Sequence, residues 1–247
     1  MTPFLEVRDM KKQYGAIKAV DGVTMSVGPG EIVGVIGPNG SGKTTLFNSI
    51  LGQIKPTSGE VAFVGENITG MSPLELSRRG VGRTFQTLQV FGKMSVRDNL
   101  IAAAQEFKGT LGGRIFAPPD AGLGEHADQM IELFRLNHVA HLPAGTLSYG
   151  QQKLIDIAMA FMAAPRLVLL DEPCAGVNPS LVDQLHDRLV ELNKTQGGSF
   201  VVIEHNMDFI MKLCPHVICM VEGKVLAEGP PAQVQSNRAV LEAYLGN

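Results

Sequence analysis

Three cysteines in 247 residues, Cys174, Cys214 and Cys219, cannot all pair. An odd count in a chain of this length argues against a disulfide framework and points to a reducing compartment. Positive charge is not in excess either. Lys and Arg number 21 against 24 Asp and Glu, a formal net charge of −3, and the basic residues are scattered. That speaks against a nucleic-acid binder, which carries a basic face. No apolar run reaches transmembrane length; the most apolar stretch, AMAFMAAPRLVLL, is broken by Pro165 and Arg166. The opening MTPFLEVRDMKKQYG lacks the basic-then-apolar pattern of a secretory signal. Any membrane role is therefore expected to come through a partner. No internal repeat is visible.

A chain of this length can bury a sizeable core. FLEVRDM and AVDGVTMSV alternate apolar and polar residues, as half-buried antiparallel strands do. EIVGVIG, LVLL (167–170) and FVVI (200–203) are continuous apolar runs. Such runs, separated by helical patterns, predict a mainly parallel sheet covered on both faces. From about residue 92 to 164 the period is helical, interrupted by a Gly/Pro-rich segment, FKGTLGGRIFAPPDAGLGE (107–125), read as a long loop or insert. A hairpin is expected over VICMVEGKVLAEG with its turn near Glu222-Gly223, then one closing helix in PAQVQSNRAVLEAYLG.

GPNGSGKTT (37–45) has the spacing of a phosphate-binding loop through Gly37, Gly42, Lys43 and Thr44. It follows a buried strand and precedes a helix. Glycines let successive N–H groups of Pro38–Thr45 (Pro38 itself has none; Asn39, Gly40, Ser41 and Thr45 do) curl around phosphate oxygens. The helix N-terminus adds its positive end. Lys43 suits the β/γ-phosphates, and the Thr44 hydroxyl suits Mg²⁺. RLVLLDEP ends a strand in two carboxylates that point in different directions. Asp171 suits the Mg²⁺ shell, and Glu172 suits polarising the attacking water. Gln86 and His205 stand where strands should stop, so each is either a γ-phosphate contact or an ordinary loop polar group.

LSYGQQKLIDIAMAFM (147–162) opens with a capping box, Ser148 and Gln151. Leu154, Ile155, Ala158, Phe161 and Met162 then form one apolar face. A capped helix start is also an anion site. The phosphates of this chain already have one after Lys43, so a second makes sense for another molecule's nucleotide.

LSYGQ resembles the signature of ATP-binding-cassette (ABC) ATPases. The order phosphate loop, Gln86, signature, Asp171-Glu172, His205 is that family's order over essentially the whole chain. The resemblance implies a dimer in which Ser148, Gly150 and Gln151 of one subunit close on ATP held by the other. It implies that Tyr14 stacks on adenine, the alternative being a surface or core tyrosine. It also implies Gln86 as a Mg²⁺ contact. GRTFQ, the insert, DEPCAGVNP, IEHNMDFIM and EAYLG are similar to the LivG-type ATPases of branched-chain amino acid importers; those of urea and short-chain amide importers share much of this. Tyr149 and Met159 depart from the usual glycine and arginine.

The expected protein is thus an α/β P-loop ABC ATPase with an N-terminal antiparallel part and an inserted helical subdomain. Its core spans 1–86 and 160–230, its helical part 87–159, and its C-terminal helix 231–247. The implied partners are a second ATPase subunit (self or paralogue), two permease subunits and, indirectly, a solute-binding protein, at the cytoplasmic face of the membrane. Cys214, His216 and Cys219 are read as buried thiols beside a histidine rather than a metal site. Cys174 is read as a small packing residue at a place where modification would block turnover. LQVFGKMSVRDNL (88–100) is either core or the groove for a membrane subunit.

Overall fold

The computed structural model describes residues 3–84, 87–104 and 121–245. Strands β1 (Leu5–Tyr14), β2 (Ile17–Val27) and β3 (Ile32–Ile36) lead to helix α1 (Lys43–Ile50). Then come β4 (Ser58–Phe63), β5 (Glu66–Asn67), α2 (Pro73–Arg78) and β6 (Val81–Arg83). Helices α3 (Val96–Ala104), α4 (Ala121–Leu133) and α5 (Tyr149–Phe161) follow. The alternation resumes with β7 (Leu167–Asp171), α6 (Pro179–Gln196), β8 (Ser199–Ile203) and α7 (Met207–Leu213). The last elements are β9 (His216–Val221), β10 (Lys224–Gly229), α8 (Pro231–Ser236) and α9 (Arg238–Leu245).

Two sheets form among the described residues. One is antiparallel, in the order β2-β1-β4-β5; the other runs β10-β9-β3-β8-β7-β6. In the second, β10 alone is antiparallel, and β6, β7, β8, β3 and β9 pair parallel. Every residue of β3, β7 and β8 is buried. That is why these strands read as unbroken apolar runs. Their side chains still alternate between faces. Val33, Val35, Leu167, Leu169, Val201 and Ile203 pack with the antiparallel sheet and α1. Ile32, Ile36, Val168, Leu170, Phe200 and Val202 pack with α5, α6 and α7 on the other face. The second cluster continues into α3 and α4 through Val96, Leu100, Ala127, Met130 and Phe134, so the helical part shares a core with the sheet.

Two expectations are corrected. The insert 107–125 is not loop to its end: residues 121–125 begin α4. The apolar spacing Ala127, Met130, Ile131, Phe134 drives this helix, and the Arg97 guanidinium covers Gly124 while pairing with Asp128 at 2.7 Å. Residues 107–120 of the insert lie outside the described residues. The closing helix over 231–247 is two helices. Asn237 is extended between them, and its Oδ1 accepts the Ala239 N–H at 2.9 Å, acting as an N-cap inside the helical period.

The segment 88–100 is buried in part. Val96 and Leu100 are core, whereas Phe91 is exposed. Buried Asn99 holds that arrangement, accepting the Phe91 N–H at 2.7 Å and donating to the Phe91 carbonyl at 3.1 Å.

Candidate functional site

The C-terminal ends of β3, β7 and β8 lie side by side, with Val35 and Asp171 both level with Ile203. Each strand delivers its polar residues to that edge. β3 leads into the glycine-rich loop. Gly37 has φ +147, and a Cβ there would lie 2.1 Å from the Met220 carbonyl oxygen. Gly42, the N-cap of α1, has φ +101, and its Cβ would lie 2.1 Å from the Ala19 carbonyl oxygen. Only glycine fits both places. The loop is also tied to the β9–β10 turn, where the Gly223 N–H donates to the Ser41 carbonyl at 3.0 Å. No side chain caps α1, so its first N–H groups face the loop's concavity. Lys43 folds over the same concavity, its Nζ donating to the carbonyls of Gly37 (2.8 Å) and Pro38 (3.0 Å). Burial lowers its pKa, opposed by the charges of Glu172 and Asp171.

A cavity of about 180 Å³ joins this loop to the other strand ends. It is lined by Ala19, the loop from Asn39 through Thr45, Glu172 and His205. Glu172 Oε1 lies 3.1 Å from His205 Nε2. Glu172 is in the left-handed region, φ +49, an uncommon place for a residue with a side chain. Its N–H donates to the Ile203 carbonyl at 2.9 Å. Asp171 is 4% exposed, and its N–H donates to Thr84 Oγ1 at 3.1 Å. Its carboxyl pKa is raised, first by burial and then by the charge of Glu172, against the pull of Arg83, Lys153 and Lys43.

The structure therefore brings Asn39–Thr45, Glu172 and His205 to one cavity, whose lining does not include Gly37, Pro38 or Asp171. Tyr14 stands apart from that lining, exposed at the end of β1 with Lys12 Nζ 4.9 Å from its ring centre. Gln86 lies outside the described residues. Ser148, Gly150 and Gln151 are also absent from the lining. They form the start of α5 as a capping box: Ser148 Oγ accepts the Gln151 N–H at 3.3 Å, and Gln151 Oε1 accepts the Ser148 N–H at 3.1 Å. This start rests on the loop after Glu172. A Cβ on Gly150 would lie 2.5 Å from Leu181 Cδ1, and one on Gly176 would lie 2.7 Å from Tyr149 Cε1. The aromatic ring at 149 covers that glycine.

Two contributors escape a reading of the sequence. Glu204 is buried at 3% exposure and accepts the backbone N–H groups of Cys174 and His205. A carboxylate following the apolar run FVVI was the available signal, since buried acids are rare unless satisfied. Tyr244 on α9 lies near Gly37, and burial pushes its pKa up to about 12. Glu242 and Ala243 line a second cavity of about 270 Å³ with Pro38–Ser41. Nothing in the period of α9 points to the phosphate loop. Among the described residues no cluster of metal-ligating side chains is present. Cys214 and Cys219 are buried free thiols.

Residues 20–175 match the sequence profile of the family described as ABC transporter. The chain belongs to the ABC transporter family. A second profile, branched-chain amino acid ATP-binding cassette transporter, matches residues 224–247, which include Tyr244. This cassette is 37% identical to the high-affinity branched-chain amino acid transport ATP-binding protein BraF of Pseudomonas aeruginosa, over 99% of this chain and 98% of that one. It is 39% identical to a probable branched-chain amino acid transport ATP-binding protein LivG of Archaeoglobus fulgidus, over 98% and 95%. Among solved structures, an ATP-binding cassette of an ABC transporter in its ADP conformation superposes with a TM-score of 0.89 at 36% identity, covering 100% of both chains.

Proposed function

We propose that this cassette is the ATP-hydrolysing subunit of an importer for branched-chain or related amino acids. The observation that carries the chemistry is the single cavity shared by the phosphate loop, Glu172 and His205. In this reading the N–H groups of Gly40–Thr45 and Lys43 hold the β- and γ-phosphates. Lys43 exchanges its present carbonyl partners for phosphate oxygens. Glu172 takes a proton from the water that attacks the γ-phosphorus, and the bond to the β-phosphate oxygen breaks, giving ADP and phosphate. His205 Nε2 bridges Glu172 and the γ-phosphate. Tyr14 stacks on the adenine.

Mg²⁺ fits the residues present. Asp171 is a buried carboxylate beside a second carboxylate, a pairing that a divalent cation relieves, and the Thr44 hydroxyl borders the cavity. Thr44 and Asp171 would hold the ion, together with Gln86. Bound there it supplies counter-charge to the phosphate oxygens.

Ser148, Gly150 and Gln151 serve a second subunit's nucleotide. Their absence from this chain's own cavity supports that reading. The second subunit is another copy or a paralogue. For the permease subunits we favour a groove of about 320 Å³ between the sheet and helical parts, lined by Leu51, Gln53, Leu76, Arg83, Ala103 and Met159. Met159 gives its wall an apolar side chain where an arginine would bring charge. No described helix is long and apolar enough to cross a membrane. Attachment to the cytoplasmic face through permeases, with a solute-binding protein as an indirect partner, follows from the proposal.

Two measurements test it. Glu172→Gln is expected to keep ATP binding and to lower hydrolysis about 10²–10⁴-fold, the worth of a positioned general base. Near-wild-type turnover would remove Glu172 from that role. Deleting the chain should abolish uptake of labelled leucine, isoleucine or valine, restored by the wild type and not by Glu172→Gln. Unchanged uptake of all three would refute the substrate class.

A further inference from the structure

Glu204 lies at the end of β8, directly before His205. Its carboxylate is buried and receives three backbone N–H groups. Oε1 accepts from Cys174 at 2.6 Å, while Oε2 accepts from His205 at 2.7 Å and Asn206 at 3.0 Å. Charge-assisted bonds of this length are strong, and together they meet the cost of burying the charge. Their arrangement matters more than their number. Cys174 belongs to the loop that carries Glu172. His205 and Asn206 form the turn that opens α7, where Asn206 Oδ1 caps the helix through the Phe209 N–H. One side chain therefore bolts together two loops 30 residues apart in sequence.

The bolt sits where the backbone needs it. Glu172 is held at φ +49, a conformation that persists only when its surroundings over-determine it. On one side its own N–H is anchored to the Ile203 carbonyl at 2.9 Å. On the other, two residues on, the Cys174 N–H is anchored to Glu204. Both anchors belong to β8 and its end, the same stretch that presents His205. The 3.1 Å approach of Glu172 Oε1 to His205 Nε2 is set by this frame.

We infer that Glu204 is a positioning residue for hydrolysis: it fixes Glu172 and His205 relative to each other by cross-linking their loops, and makes no bond to the phosphate loop that grips the nucleotide. The inference rests on the proposed roles of Glu172 and His205. It goes further in assigning to Glu204 a part in turnover that is separable from binding, because none of its three partners belongs to the phosphate loop.

Glu204→Gln tests this selectively. The amide oxygen can accept both N–H groups of the His205 turn, which leaves the amide NH₂ facing the Cys174 N–H, donor against donor. The turn survives and the cross-link opens. The expected result is a kcat at least about tenfold lower, with KM for ATP and the Kd of a fluorescent ATP analogue within about threefold of wild type. Hydrogen exchange should quicken about tenfold in the peptide holding Cys174 and stay unchanged in the phosphate loop. If Glu204→Gln does not fold, Glu204→Asp replaces it, since its shorter side chain keeps the charge at the turn but falls short of Cys174. A wild-type kcat, or a rise in KM with kcat unchanged, would overturn the inference. If the wild-type chain hydrolyses no ATP either alone or with a paralogous subunit, the functional reading fails by itself; exchange at Cys174 then decides the cross-link, and unchanged exchange in the variant overturns it.

Discussion

Replacing Ser148 by Asp separates what this side chain does for its own helix from what it does for a partner. Asp is as good an N-cap as Ser. Its oxygen can accept the Gln151 N–H as Ser148 Oγ does at 3.3 Å, and its charge gains about 0.3–1 kcal/mol from the helix dipole. The loss is the hydroxyl's donation to Gln151 Oε1 at 3.0 Å, an exposed bond worth about 0.5–1 kcal/mol. These nearly cancel, so the melting temperature should move by no more than about 2–4 °C for a chain of this size. Across a dimer interface the balance is different. A carboxylate about 5 Å from a phosphate charge, at an effective dielectric of about 20, is repelled by roughly 3 kcal/mol. ATP-driven dimerisation and steady-state hydrolysis should therefore fall at least about 100-fold while monomer binding of ATP persists. Mixing Ser148→Asp with Lys43→Ala should restore about a quarter of the wild-type activity. About half the dimers are then mixed, and each holds one complete site of two. If the active form pairs with a paralogue, the two substitutions are made one per chain. Wild-type turnover by Ser148→Asp at an unchanged melting temperature would refute the trans role of the α5 start. A melting temperature lowered by about 10 °C would refute the cap argument.

Gly42→Ala should cost nucleotide affinity at least about tenfold and lower the melting temperature by several degrees, because its φ of +101 and the Ala19 carbonyl 2.1 Å from the new Cβ leave no relaxed position. Unchanged nucleotide titration and calorimetry would show that the loop has another shape. All three thiols are held protonated: burial pushes Cys214 up to about 12 and Cys219 to about 11, and burial followed by the Glu204 charge raises Cys174 further. The native protein at pH 8 should therefore release far less than one equivalent of thionitrobenzoate from Ellman's reagent within minutes, and three equivalents in guanidinium. Prompt reaction of one thiol together with loss of turnover would instead restore Cys174 as an exposed point of inhibition.

Much of this architecture was written locally. β3, β7 and β8 announced themselves because strands buried on both faces need apolar residues at every position. The phosphate loop did so because its glycines, Lys43 and Thr44 fall at a fixed spacing in one short stretch, and the α5 start because a capping box is complete within four residues. What stayed hidden depends on partners far along the chain. Glycines at 122 and 124 looked like loop, yet an arginine from α3 covers the second and lets α4 begin there. Asn237 sat inside a helical period, and only the separate packing of α8 and α9 uses it as a break. Glu204 stood one place before His205 with nothing in the sequence to reveal that its bonds reach across to Cys174. Tyr244 likewise meets Gly37 only after two sheets and a helical layer have been assembled between them.

The ring of Tyr149 over Gly176 limits how this chain can be recombined. A glycine at 149 would strip the cover from a residue held at φ +70, and any side chain at 176 would collide with the ring already there. The two positions are thus one inherited unit, although 27 residues separate them. Chimeras that import a five-letter signature alone should be poorer ATPases than those exchanging 148–151 together with 174–177. Across natural cassettes, a bulky residue at the first of these positions should travel with glycine at the second.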